Sequence, residues 1–272
     1  MRPLLALAAS LAFCLDDVTL PAQAEESPLV SLETSDAGAG WQAVGRLNLG
    51  LRGFCTGTLI APDLVLTAAH CLFDKETGAR IPDRDIQFLA GWRNGRAEAY
   101  RGVRKSVAHP DYIYAGAASL DRVAFDLALI ALDQPIRLPQ VTPFATDSRP
   151  GRGDAVGVVS YAQDRADAPS LQETCHVLDR APQIVVFSCK VDFGASGAPI
   201  FALRDGEMKI VSVVSAKADV DGAPVALGSV LSGRIEELQA VLETGLIAPR
   251  GAGGSVRVLS GWQAGGAKFV KP

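Results

Sequence analysis

Short apolar runs recur along most of this 272-residue chain, most of them flanked by Gly, Pro or Asp. A run of that length is too short to give a helix a buried stripe, but it suffices for a strand. Such runs fall at 43–47, 57–60, 64–67, 86–91, 102–108 and 127–132. They resume at 154–160, 171–178, 184–189, 199–203, 208–216 and 226–231. Several alternate apolar with other residues, as half-buried strands do. The 27 glycines and 16 prolines supply the turns between them. Strands at regular spacing with turn signals between them define an all-β sandwich or barrel. One stretch differs. From Ser232 to Glu243 the residues Ile235, Leu238, Val241 and Leu242 repeat at helical spacing, with Ser232 as a candidate cap.

The length admits two domains or one large all-β unit. Charged residues make up 21% and the net charge is −4, so the clustered Lys and Arg of a nucleic-acid footprint are missing. The N-terminus has the form of a secretory signal over residues 1–24. Arg2 gives positive charge, residues 4–15 are apolar, and Ala22-Gln23-Ala24 offers a small-x-small cleavage site before Glu25. That apolar stretch is shorter than the roughly 20 residues a membrane span needs, and no later stretch serves either. A secreted or periplasmic protein is therefore expected. Residues 25–40 are polar and aperiodic and read as a flexible leader. Residues 244–272 are Gly-rich, carry Arg250, Arg257, Lys268 and Lys271 without acids, and read as a flexible basic tail.

Cys14 leaves with the signal, and Cys55, Cys71, Cys175 and Cys189 remain. An even number in an exported chain favours disulfides over a metal site. Of the three possible pairings, Cys55–Cys71 and Cys175–Cys189 are preferred, because each pair brackets one expected hairpin. No Cys-x-x-Cys or paired-His spacing exists for zinc, so no metal or cofactor is expected.

Two segments set a reactive side chain among small residues: Thr67-Ala68-Ala69-His70-Cys71 and Gly194-Ala195-Ser196-Gly197-Ala198-Pro199. A serine hydroxyl attacks a carbonyl only when a neighbouring base takes its proton, and histidine has the pKa for that task. Asp126 stands in the apolar run Phe125-Asp126-Leu127-Ala128-Leu129-Ile130, as an acid orienting that histidine would. The other histidines, His109 and His176, read as surface or core residues.

These residues resemble the trypsin/chymotrypsin-like serine proteases, especially their bacterial secreted branch, over roughly residues 41–243. The resemblance is carried by residues 55–60, 65–71, 126–130 and 194–199, by the His, Asp, Ser order, and more softly by His109-Pro110-Asp111-Tyr112 and Gly157-Val158-Val159-Ser160-Tyr161. It implies two six-stranded antiparallel β-barrels with the site in the cleft between them and a short C-terminal helix. It also implies Ser196 as nucleophile, His70 as base then acid, Asp126 as its orienting carboxylate, and the Gly194 and Ser196 N–H groups as oxyanion donors. Cys55 and Cys71 match the disulfide that braces the histidine loop. Lys190, Ser215 and Lys217 fall where the family lines its substrate pocket.

The chain departs from the family at two places. The acid that usually precedes the nucleophile is Ala195 here, so activation by burying a newly cut α-amino group is not expected. Lys190 replaces the acid of a trypsin-like pocket floor, so cleavage after Arg or Lys is not expected, and charge complementarity points to acidic side chains. The resemblance thus implies a monomeric serine endopeptidase acting on proteins or peptides. The alternative is a protease fold retained for binding alone, to which Ala195 and the unusual pocket point.

Overall fold

The computed structural model describes residues 25–114, 119–147, 150–245 and 267–269. The expected signal peptide at 1–24 lies outside the described residues, as does most of the expected tail. Strands β2 (Val44–Leu49), β3 (Phe54–Ala61), β4 (Leu64–Thr67), β5 (Ile86–Ala90), β6 (Ala99–Ala108) and β7 (Ala128–Leu132) close into one antiparallel barrel in the order β2-β3-β4-β7-β6-β5. Inward positions such as Leu47, Leu59, Val65, Phe88 and Ile130 are fully buried and fill it. Closing the sheet removes the unpaired edges that a strand-rich chain would otherwise present.

The second half repeats the solution. Strands β8 (Ala155–Ala162), β9 (Arg165–Arg180), β10 (Ile184–Phe187), β11 (Pro199–Arg204), β12 (Glu207–Val220) and β13 (Ala223–Val230) run in the order β9-β10-β13-β12-β11-β8, and pairing of β8 with β9 closes the ring. Its core is built on Val158, Val185, Phe187, Ile200 and Val214. Two helices are added. Helix α1 (Leu120–Ala124) precedes β7, capped by the Ser119 hydroxyl, which accepts from the Arg122 N–H. Helix α2 (Arg234–Thr244) follows the second barrel.

Three sequence expectations need correction. The 25–40 segment is not a loose leader. Strand β1 (Leu29–Ser31) pairs antiparallel with Ser170–Gln172 of β9, and Leu32 beside it is 4% exposed in the core. Pairing with an existing strand supplies the hydrogen bonds that three residues could not organise alone. The basic tail is likewise not wholly loose, since strand β14 (Ala267–Phe269) pairs with Ala218–Val220 of β12. The C-terminal helix starts at Arg234, and its cap is Gly233 in the left-handed conformation (φ 70°), so Ser232 does not cap it. Among the described residues no helix is long and apolar enough to cross a membrane.

Candidate active site

His70 sits on a single 3-10 turn, Ala69–Leu72, that begins as β4 leaves the first barrel. Asp126 follows α1, two residues before β7. Because β4 and β7 are paired neighbours, with Thr67 opposite Ala128, both side chains emerge at one end of that barrel. The Cys55–Cys71 disulfide ties the histidine turn to β3. His70 Nδ1 lies 2.6 Å from Asp126 Oδ2, and the His70 backbone N–H donates to Oδ1 at 2.8 Å. The Ser215 hydroxyl also donates to Oδ2. An ionised carboxylate can only accept, so this contact assigns the proton to Nδ1 and leaves the Nε2 lone pair free. Asp126 is 1% exposed, and every direct partner of its carboxylate is a donor.

Ser215 belongs to the second barrel. It occupies a bulge in β12, where the pairing with β13 shifts between Val214 and Ala216. The extra residue re-aims the side chain. The sequence reading put Ser215 with the pocket lysines, but its hydroxyl turns to Asp126.

The 194–198 turn, which carries Ser196, is fastened to both barrels. The Ser196 carbonyl accepts from the Thr56 N–H of β3 at 2.8 Å. The Thr56 hydroxyl donates to the Gly194 carbonyl at 3.0 Å and accepts from the Tyr161 N–H at 3.1 Å. Gly197 packs so closely on Thr67 and Ala68 that a Cβ there would overlap the Thr67 hydroxyl and the Thr56 carbonyl. The serine turn therefore abuts the residues leading directly into His70. On its other side, the Gly197 N–H donates to the Val214 carbonyl at 2.8 Å and Val214 N–H donates to the Ala198 carbonyl at 2.9 Å.

Gly194 has φ +100°, and a Cβ there would stand 2.6 Å from the Phe54 ring, so both conformation and space require glycine. Within this turn the Ala195 N–H is taken by the Asp192 carbonyl and that of Ala198 by the Ala195 carbonyl. The Gly194 and Ser196 N–H groups have no acceptor among the described residues. Ala195 itself is fully buried among Cys175, Cys189, Val191 and Ala198.

The pocket lysines are less enclosed. The Lys190 side chain is exposed, while its backbone N–H donates to Gln172 Oε1 at 2.7 Å. Lys217 Nζ lies 3.4 Å from Asp192 Oδ1 and 6.0 Å from the Phe193 ring centre. Of the other histidines, His109 is 3% exposed and packs on Phe125, 5.2 Å between ring centres, so it supports the Asp126 loop from beneath. The backbone N–H of His176 donates to the Ser188 hydroxyl at 3.0 Å. Cys55, His70 and Cys71 cluster at metal-ligand spacing, but both sulfurs are consumed in the disulfide and only an imidazole is left to offer. Cys175 and Cys189 are also bonded to each other.

Sequence reasoning missed Thr56 and Gln172. Thr56 stands inside a strand with no marker beyond its place between Cys55 and Gly57. Gln172 is fully buried in the long strand β9, where a glutamine would ordinarily face water.

Two closed six-stranded barrels with these residues gathered at their junction define the trypsin/chymotrypsin-like fold. A family model for the trypsin-like peptidase domain matches residues 55–209, and the chain belongs to that family. Serine protease 23 of Mus musculus is 27% identical over 197 residues, which is 62% of this chain and 50% of the relative. Coagulation factor IX of Cavia porcellus is 31% identical over 114 residues, 40% of this chain and 35% of the relative. The chain thus spans half or less of the length of these curated relatives. A solved structure of Glu endopeptidase in complex with MPD superposes with a TM-score of 0.64 at 17% identity, covering 79% of this chain and 96% of that one. At that identity the likeness is one of fold.

Proposed function

We propose that the protein is an exported serine endopeptidase that hydrolyses proteins or peptides through Ser196, His70 and Asp126, acting as a monomer. The observation that carries this is the Asp126 carboxylate, buried and held by donors that leave His70 Nε2 unprotonated, beside the turn that presents Ser196. In the first step Ser196 Oγ bonds to the substrate carbonyl carbon while its proton passes to His70 Nε2. The oxyanion accepts from the Gly194 and Ser196 N–H groups. His70 then gives its proton to the leaving amine as the C–N bond breaks. Water, deprotonated by His70, hydrolyses the acyl-enzyme and returns Ser196 to its hydroxyl form. Asp126 stays ionised throughout and stabilises the imidazolium.

The substrate backbone has a place to lie. On one edge of β12, Val214 is bonded to the serine turn and Ala218 is paired with β14. Between them Ser215–Lys217 have no ladder partner on that edge among the described residues, so an extended peptide can add there as a strand. The acidic preference expected from the lysines is weakened, because Asp192 already faces Lys217 and the Lys190 side chain is exposed. A hydrolysis panel varying the residue before the cleaved bond decides it, with Glu favoured if Lys217 exchanges Asp192 for substrate. Export is supported by the two disulfides, which persist in oxidising compartments.

The test is labelling of the purified protein with a small fluorophosphonate beside Ser196→Ala. Labelling that disappears in the variant is the expected result. A folded wild-type protein that does not label overturns the reading and leaves the binding-only alternative.

A further inference from the structure

In this chain the residue before the nucleophile has no charge and is sealed in an apolar core. The 190–195 segment leading into Ser196 must be held in place by other contacts. Two ties reach the start of this segment from β9. One is the Cys175–Cys189 disulfide, and the other is the Gln172 side chain. Gln172 is fully buried, so each of its amide atoms needs a partner. Its Oε1 accepts from the Lys190 N–H at 2.7 Å, and its Nε2 donates to the Ser27 carbonyl at 3.1 Å.

Ser27 is in turn fixed to β9. Its backbone N–H donates to the Thr174 carbonyl at 2.9 Å, and its hydroxyl accepts from the Thr174 N–H at 2.8 Å. The following strand, β1, continues along β9, and Leu32 is buried. Beyond it the Glu33 carbonyl accepts from Asn94 Nδ2 at 3.0 Å and Ser35 from Arg93 at 3.2 Å, both in the first barrel. The N-terminal segment thus crosses from one barrel to the other, and among the described residues it reaches the candidate site through Gln172.

An amide side chain can sit either way round, and the two ways differ in which neighbour meets oxygen. The Ser27 carbonyl can only accept, so it selects the orientation that turns Nε2 toward itself and Oε1 toward Lys190. We propose that Gln172 is a positioning residue, oriented by the N-terminal segment at Ser27, that sets the 190–195 wall of the substrate pocket. This rests on the reading of Ser196 as nucleophile. It gives the N-terminal segment a part in the site that needs no free α-amino group and no acid at position 195.

The test compares Gln172→Leu, Gln172→Glu and deletion of residues 25–33 with the wild type. Gln172→Leu keeps the shape and loses both hydrogen bonds. Gln172→Glu keeps an oxygen for the Lys190 N–H but loses the donor to the Ser27 carbonyl. Hydrogen exchange is read over residues 190–195 and over the first barrel, which needs no catalytic activity. KM is read with a peptide substrate, and reactivity with the small fluorophosphonate, which leaves the pocket empty. The expected result for Gln172→Leu and for the deletion is faster exchange confined to 190–195 and KM raised about tenfold, the equivalent of one hydrogen bond. Probe labelling stays within about twofold, and Gln172→Glu, which has no donor for the Ser27 carbonyl, raises KM as the deletion does. Unchanged exchange at 190–195 in Gln172→Leu overturns the proposal even if the protein proves inactive. A parallel loss of KM, labelling and first-barrel protection also overturns it, as the mark of a merely structural residue. Loss of labelling in the wild type alone speaks against the nucleophile and not against the brace.

Discussion

Asp126 accepts hydrogen bonds from two backbone or side-chain groups of His70 and from Ser215 while almost entirely out of water. Asp126→Asn keeps the shape but can turn an amide donor toward His70, which forces the proton onto Nε2. Turnover is expected to fall about 10⁴-fold with little change in fold, checked by kcat beside circular dichroism. Ser215→Ala removes one charge-assisted donor and leaves the other two, so kcat should fall by about tenfold only. Gly197→Ala is expected to be worse for the fold than either. Its φ of +79° disfavours any side chain, and the added methyl meets Thr67 and the Thr56 carbonyl. A loss of about 3 kcal/mol or more, read from the urea midpoint, is expected. At this scale the sequence shows His70 and Ser196 plainly, because runs of small residues around a reactive side chain have little other physical purpose. It places Ser215 only with the pocket lysines and does not show Gln172, because their contacts depend on a bulge and on burial in a strand that only the assembled sheet defines.

Helix α2 follows the second barrel in the chain but packs on β6 and β7 of the first. Arg234, its first residue, donates to the Ala124 carbonyl and to the Val230 carbonyl, and its guanidinium lies 4.8 Å from the Phe125 ring centre. It therefore grips the end of α1 and the residue before Asp126. Burial pushes its pKa down to about 10, with Glu237 opposing. That value remains far above neutrality, so the guanidinium stays charged and the grip does not vary near pH 7. Arg234→Leu leaves the Ala124 carbonyl unpaired and is expected to cost about 1–3 kcal/mol, with kcat falling as the Asp126 loop loosens. Denaturant titration and steady-state kinetics on the same preparation check both. Strands of the barrels are legible in the sequence where apolar runs are clean, as at β4 and β7. Helix α1 is not, since its five residues are too few for a period. Nor is the first part of β9, where Asp167 and Pro169 interrupt the pattern and pairing with β8 holds the chain extended regardless.

Acid stability is a property of the whole molecule, to which the second barrel contributes through Asp154. The Gly151 backbone N–H above all holds this carboxyl below its ordinary value of 3.8; burial pulls the other way, and Arg204 adds to the lowering. A depressed folded-state pKa adds stability that is present above the unfolded value and is lost as pH falls through the folded one. Urea midpoints of wild type and Asp154→Asn should thus differ by a constant amount well above the unfolded carboxyl value of 3.8 and draw together as pH falls through the lower folded value. Among the places where the two barrels meet is one carboxylate. Asp126 takes donors from the histidine turn of the first and from the β12 bulge of the second, and its contact with His70 Nδ1 is only 2.6 Å long. A proton held in so short a bond is strongly deshielded. In a one-dimensional proton NMR spectrum it should stand well downfield of the amide envelope, a resonance that needs no substrate and vanishes when the junction comes apart.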